Sequence, residues 1–177
     1  MGSEMCIRDR GDEAKTDASD QVESSDDVAT EAGGESALEP LPIVDFVWFD
    51  GTQGSTADFV GTPTVINFWG SYCPPCLAEM PAFEEVHQAL ADSVNFVGVD
   101  VADDAEAARE LAAQTGVSYR LADDPDSAVF RSFGGFVMPT TVFVNEQGEV
   151  AFVWAGALTG EELRKLVDSH ILPGGAS

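Results

Sequence analysis

The sequence predicts an α/β fold with a mixed central sheet and helices on both of its faces. Two apolar runs, "TPTVINFWG" (62–70) and "VNFVGVDV" (94–101), are too unbroken for half-exposed strands and fit strands buried on both sides. Stretches of helical spacing follow these runs. The last third of the chain, "VMPTTVFVNEQGEVAFVWAG", reads as two strands around a polar turn, which adds an antiparallel pair to the sheet.

"IVDFVWFDG" alternates loosely and ends in Asp50-Gly51, a strand followed by a turn. "TPTVINFWG" is the central strand. Directly after it come Cys73 and Cys76, then "LAEMPAFEEVHQALADS", where Leu77, Met80, Phe83, Val86, His87 and Leu90 share helical spacing. Pro81 lies well inside that helix, removes a hydrogen bond and predicts a kink. "VNFVGVDV" is a second buried strand, "DAEAARELAAQTG" an Ala-rich helix ending at Gly116, and "DSAVFRSFG" (126–134) a short helix. The hairpin turns at Asn145 to Gly148. "TGEELRKLVDSHI" opens the last helix with a capping box, Thr159 to Glu162.

The chain has 177 residues, 44% of them apolar, and no apolar run long enough to cross a bilayer. It carries 32 acidic residues against 8 basic ones, a formal charge of −24, with 12 acids and 3 bases in residues 1–40 and 20 and 5 in residues 41–177. Nucleic acid and anionic lipid are therefore poor partners, and the excess reads as a solubilising surface. Residues 1–40 read as a disordered acidic tether, because 11–39 combine acids with Ser, Ala, Thr and Gly and have too little apolar surface to offset chain entropy. The first ten, "MGSEMCIRDR", fit neither a tether nor a signal peptide, lack an apolar h-region and read as non-native sequence; Cys6 has no assigned role. One globular domain, 41–177, remains.

The chemistry concentrates in "FWGSYCPPC" (68–76). Three cysteines cannot complete a four-thiolate zinc site, and neither His87 nor His170 stands at finger-like spacing from the pair, so no metal site is expected. A structural disulfide closing so small a loop contributes little stability. A Cys-x-x-Cys pair suits an exchange-active dithiol, because the second thiol can resolve a mixed disulfide formed by the first. At a helix N-terminus the free amides and the macrodipole lower the pKa of the first thiol, making Cys73 the nucleophile; Cys76, one turn in, is shielded and resolves. Pro74 and Pro75 occupy the first turn, where a missing N–H costs little, and stiffen the loop.

"INFWGSYCPPC", Pro81 five residues beyond Cys76, and "VMPTT" before a strand resemble the thioredoxin fold. The longer form, with an N-terminal strand extension and the insertion "LADDPDSAVFRSFGGF" before the hairpin, resembles the TlpA/ResA branch of thiol-disulfide oxidoreductases over about residues 41–172. The resemblance implies Cys73 as attacking and Cys76 as resolving thiol, Pro139 as a cis-proline facing them, and Met138 beside it touching the substrate chain. It implies Glu79 as the acid that influences the dithiol's titration. Trp69, Tyr72, Pro74, Pro75 and Thr140 complete the expected partner-facing set, with Trp69 closer to a packing role. Tyr72 stands where the family usually has Trp. Asn67 stands where cytoplasmic thioredoxins carry a buried acid, which leaves Glu79 or a water as proton partner of Cys76.

The resemblance further implies a reductase of disulfide-containing proteins, monomeric and without cofactor, recharged by a membrane thiol donor of the CcdA kind and serving cytochrome c maturation. It also implies an extracytoplasmic location, periplasmic or cell-envelope, with anchoring through an N-terminal segment missing from this sequence. Two rivals share the fold. A copper-delivery chaperone has Cys-x-x-x-Cys and a distant histidine, one residue more than here. A thiol peroxidase needs Thr-x-x-Cys and a supporting arginine, whereas position 70 is Gly.

Overall fold

The computed structural model describes residues 38–172, so nearly all of the expected tether, with Cys6 and the first ten residues, lies outside the described part. Eight strands form one sheet in the order β1-β8-β7-β4-β5-β6-β2-β3. They are β1 (Glu39–Pro40), β2 (Asp45–Trp48), β3 (Gln53–Ser55), β4 (Thr64–Trp69), β5 (Asn95–Val101), β6 (Arg120–Asp124), β7 (Thr140–Val144) and β8 (Glu149–Ala155). The helices are α1 (Pro74–Leu90), α2 (Ala105–Thr115), α3 (Ala128–Ser132) and α4 (Gly160–His170), with a short 3₁₀ turn at Thr56–Phe59. The sheet is mixed, as expected: β4 runs parallel to β5 and antiparallel to β7.

All six residues of β4 are buried, and its side chains divide by the period of two that a pleated strand imposes. Ile66 and Phe68 join Val97, Val99, Val101, Val142 and Val144 on one face, beneath α3 and the 3₁₀ turn. Val65 faces the other side, where Phe83, Val86 and Leu90 of α1 pack with Leu163 and Val167 of α4. Trp69 lies on that side too, against Met80 of α1 and Ala108 and Ala112 of α2. Helices thus cover both faces.

Local signals place the ends of the elements. Gly116 closes α2 with φ +76°, the left-handed conformation that costs a glycine nothing. Thr159 and Glu162 form the expected capping box of α4. The helix α1 continues through Pro81, which leaves the carbonyl of Leu77 without its helical donor.

Three strands were not read from the sequence. Pro40, taken as the end of the tether, is the second residue of β1, where Glu39 and Pro40 pair with Val150 and Glu149. "QGS" of β3 has no apolar pattern and forms because the turn at Gly51 folds it back onto β2. "RLADD" of β6 is acid-rich, yet it fits between β5 and β2. Its last acid, Asp124, is buried because its carboxylate accepts from the N–H groups of Val129 (3.1 Å) and Phe130 (2.9 Å) and so starts α3.

Phe68 is fully buried, with its ring 5.2 Å from that of Phe130 and 5.7 Å from that of Phe133. Urea unfolding of the oxidised protein should show Phe68→Ala losing about 3–5 kcal/mol. Thr159→Ala, which removes only a helix cap, should lose about 1 kcal/mol.

Candidate active site

The site begins where β4 gives out. Gly70, Ser71 and Tyr72 turn the chain, the N–H of Cys73 donates to the carbonyl of Gly70 (3.0 Å), and Cys73 becomes the N-cap of α1. Pro74 and Pro75 take the first two helical positions, where their fixed φ suits a helix start. Cys73 and Cys76 are joined as a disulfide with Cα atoms 5.3 Å apart. Cys73 is 7% exposed and Cys76 is not exposed at all, so a reagent from outside meets Cys73 first.

The cap leaves few free amides at the start of α1. Pro74 and Pro75 have no N–H, and the N–H of Leu77 is spent on the carbonyl of Cys73 (3.2 Å). Of the first-turn amides only that of Cys76 is left to face a Cys73 thiolate. The helix start therefore offers the dipole and one free amide, not a fan of donors.

Beneath the pair lies a buried carboxyl. Glu79, three residues beyond Cys76 on the same face of α1, is 4% exposed. Its Oε1 accepts from Asn67 Nδ2 (2.8 Å) on β4, and its Oε2 accepts from the N–H of Leu158 (2.9 Å) in the loop before α4. Burial pushes its pKa up from 4.5 to about 7, against the opposing pull of these two donors. Asn67 thus donates to the acid of α1 in the strand position where an acid of its own would stand. Leu158 could not have been found from sequence, because its contribution is a backbone amide delivered by the packing of α4 on α1.

The cis peptide joins Met138 and Pro139. The segments 72–75 and 136–138 meet across an open groove of about 580 Å³ whose walls include Tyr72, Cys73, Pro74, Pro75, Phe136 and Met138. Pro139 is buried and its carbonyl accepts from Gly156 N–H (2.8 Å), while Thr140 Oγ1 donates to the carbonyl of Val137 (2.6 Å). Among the described residues no hydrogen bond engages the N–H or C=O of Met138.

Three of the expected partner-facing residues do not line the groove: buried Pro139, Trp69 and Thr140. Trp69 is fully buried against Cys73, Cys76 and Met80 and supports the dithiol from below. Thr140 is 3% exposed and holds the preceding loop through its hydroxyl. In their place the structure offers Phe136, 88% exposed beside the groove, which the sequence reading overlooked although an aromatic among glycines was a visible signal. His87 packs between Phe96 and Tyr119 at 5.3 and 5.7 Å, away from the cysteines.

Comparison with known proteins gives one family and a consistent set of relatives. Residues 39–168 match the family model named Redoxin. The thiol-disulfide oxidoreductase ResA of Bacillus subtilis is 30% identical over 131 residues, 72% of this chain and 73% of that protein. A DsbF homologue from Corynebacterium diphtheriae superposes with a TM-score of 0.68 at 28% identity, covering 78% of this chain and 96% of that one. A secreted Mycobacterium tuberculosis disulfide oxidoreductase homologous to E. coli DsbE superposes with a TM-score of 0.62 at 26% identity, covering 68% of this chain and 90% of that one. With a central mixed sheet, helices on both faces, and a cysteine pair at the strand-to-helix turn whose groove is also lined by Met138 of the cis Met138–Pro139 bond, the fold is thioredoxin-like and the chain belongs to the Redoxin family.

Proposed function

We propose that the domain is a protein thiol-disulfide oxidoreductase, working as a reductase of disulfide-containing proteins outside the cytoplasm. One observation carries this reading: Cys73 lines an open groove while Cys76 and Glu79, further along α1, are buried. A nucleophile is accessible, and its resolving thiol and an acid–base group are reserved for the internal step.

Starting from the dithiol, the Cys73 thiolate attacks one sulfur of the partner's disulfide, forming a mixed disulfide and releasing the partner's other sulfur as a thiolate that takes a proton. Cys76 then gives its proton to the Glu79 carboxylate, and its sulfur attacks the Cys73 sulfur. The bond to the partner breaks, the second partner thiolate leaves, and the Cys73–Cys76 disulfide remains. Two electrons have passed to the partner. A carboxyl with a pKa of about 7 can accept and return that proton near neutral pH. The open backbone groups of Met138 suit pairing with an extended partner segment laid across the groove.

Thiol-disulfide exchange is supported by the likeness to the oxidoreductase ResA, and the extracytoplasmic placement by the likeness to a secreted disulfide oxidoreductase. The reading includes service in cytochrome c maturation, action as a monomer, recharging by a membrane thiol donor of the CcdA kind, and anchoring near the membrane. No helix among the described residues is long and apolar enough to cross a membrane. Cys-x-x-Cys proteins span reduction potentials from about −270 to −120 mV, and a value more positive than about −150 mV would assign this domain to oxidation instead.

Cys73→Ser should abolish reduction of insulin. Cys76→Ala should leave a mixed disulfide on Cys73, seen as a reductant-sensitive band on a non-reducing gel, and no such adduct with any protein disulfide would overturn the exchange reading. Glu79→Gln should slow resolution by about 10²-fold at pH 7 and erase the inflection near pH 7 in its rate profile. The same substitution tests linkage. A carboxyl whose folded pKa is raised binds more protons in the native state, so its contribution to stability is present below pH 4.5 and is lost as pH rises through about 7. Relative to Glu79→Gln, the wild type should lose stability across that window.

A further inference from the structure

The turn that delivers Cys73 is held from the far side by a pair of acids that the exchange steps do not use. Asp103, just after β5, takes both polar groups of Ser71: its Oδ2 accepts from the Ser71 N–H, and its Oδ1 accepts from Ser71 Oγ at 2.8 Å and from the N–H of Asp104 at 2.7 Å. The neighbouring Tyr72 hydroxyl donates to the carbonyl of Val101 at 2.8 Å. Two consecutive residues before the nucleophile are therefore tied to the C-terminal end of β5, 29 to 32 positions away in sequence. Behind Asp103 stands Asp100, 3% exposed on β5 and lining the same cavity. Oδ1 of Asp100 is buried and meets no donor among the described residues.

Two neighbouring carboxyls, one buried and one half-buried, cannot both be ionised cheaply, and a proton kept by one of them resolves the conflict. The surroundings decide which of them keeps it. Burial, reinforced by the negative charges of Asp103 and then Asp123 on β6, holds Asp100 up to about 8, with Arg109 of α2 pulling the other way. For Asp103 burial is outweighed by the donors from Ser71 and Asp104 and by Asp100 itself, so it stays below its ordinary value. Asp124 also borders this side, but its carboxylate is committed to the start of α3. Tyr72 faces the pair and is pushed up by burial and by Asp103 and Asp100, so it remains a neutral donor.

We propose that Asp103, with Asp100 as its neighbour, is a positioning residue that grips Ser71 and so seats Cys73 against Cys76, raising the effective concentration of one sulfur at the other. Asp103 touches neither cysteine sulfur in this account; it acts through Ser71. The inference rests on the exchange-active dithiol of the preceding reading. The clamp is present with the disulfide closed, and ionisation of Asp100 puts two like charges side by side and loosens it.

The experiment measures the equilibrium of the full chain with glutathione, in which the Cys73–Cys76 disulfide and two glutathione thiols become the dithiol and one glutathione disulfide. At pH 7, Asp103→Ala should make the protein disulfide about 10-fold easier to reduce, the scale of a modest misplacement of reacting groups. Ser71→Ala should shift it in the same direction by a smaller factor, and Asp103→Asn, whose amide oxygen still accepts from Ser71, should recover most of the loss. The ratio of wild-type to Asp103→Ala constants cancels the titration of the thiols themselves. It should fall toward 1 by about pH 9, above the Asp100 titration, and should stay at its pH 7 value when both proteins also carry Asp100→Asn.

A ratio near 1 at pH 7 for a folded Asp103→Ala protein overturns the proposal, as does a ratio that does not change between pH 7 and 9, since a merely structural role would lower the melting temperature without moving either. Should Asp103→Ala fail to fold, Ser71→Ala carries the same comparison, and an unchanged equilibrium there is the overturning result. Failure of the exchange reading would look different: no mixed disulfide with any protein partner from Cys76→Ala, whatever the glutathione equilibrium shows.

Discussion

The site depends on β4 being buried on both faces and placed between β5 and β7. A strand so enclosed cannot shift in register without moving a whole set of side chains from one apolar layer to the other. Its C-terminal end is therefore a fixed point, and the turn that follows can deliver Cys73 to the start of α1 with little freedom left. Because β4 and β5 are parallel, their C-terminal ends lie side by side. The loops that leave them, one carrying Ser71 and Tyr72 and the other Asp103, are brought within hydrogen-bonding reach by that topology alone.

The dithiol is an apolar site with polar chemistry kept out of sight. Trp69, Met80, Ala108 and Ala112 pack in one apolar cluster with the two cysteines, and Cys76 sees no solvent. In such surroundings a carboxylate is costly unless it is bonded, and Glu79 receives one donor on each oxygen, enough to be tolerated but not enough to restore an ordinary pKa. The same balance, struck differently, applies on the other side of the turn. There the several donors of Asp103 keep it ionised while Asp100, with none on its Oδ1, holds the proton.

Charge has little part in holding the fold. The ion pairs Arg109–Asp123, Arg120–Asp50, Arg164–Asp168 and Lys165–Glu161 among the described residues involve partly or largely exposed side chains, where solvent screening leaves each little to contribute. The acidic surplus instead shapes association, favouring partners that are neutral or basic around their disulfide, while the exposed rings of Tyr72 and Phe136 give the groove an apolar rim against which such a segment can rest.

Composition and spacing determined the central strands, the helix after the cysteines, the terminal hairpin with its turn, and the caps at Gly116 and Thr159, because each follows from periodicity or from the bonding habits of residues adjacent in the chain. The cysteine pair was legible for the same reason: its members stand three positions apart, with Pro74 and Pro75 between them. What only the tertiary structure decided involves groups far apart in sequence. β3 and β6 exist because neighbouring strands offer them unpaired edges, not because their residues favour extension. Trp69 is turned inward by the pleat of β4, and Glu79 gains its raised pKa from Asn67, Leu158 and burial. The hold of Asp103 on Ser71 spans 32 positions. Burial and long-range hydrogen bonds are properties of the packed layers, and no local pattern in a chain records which amide will arrive beside which carboxyl.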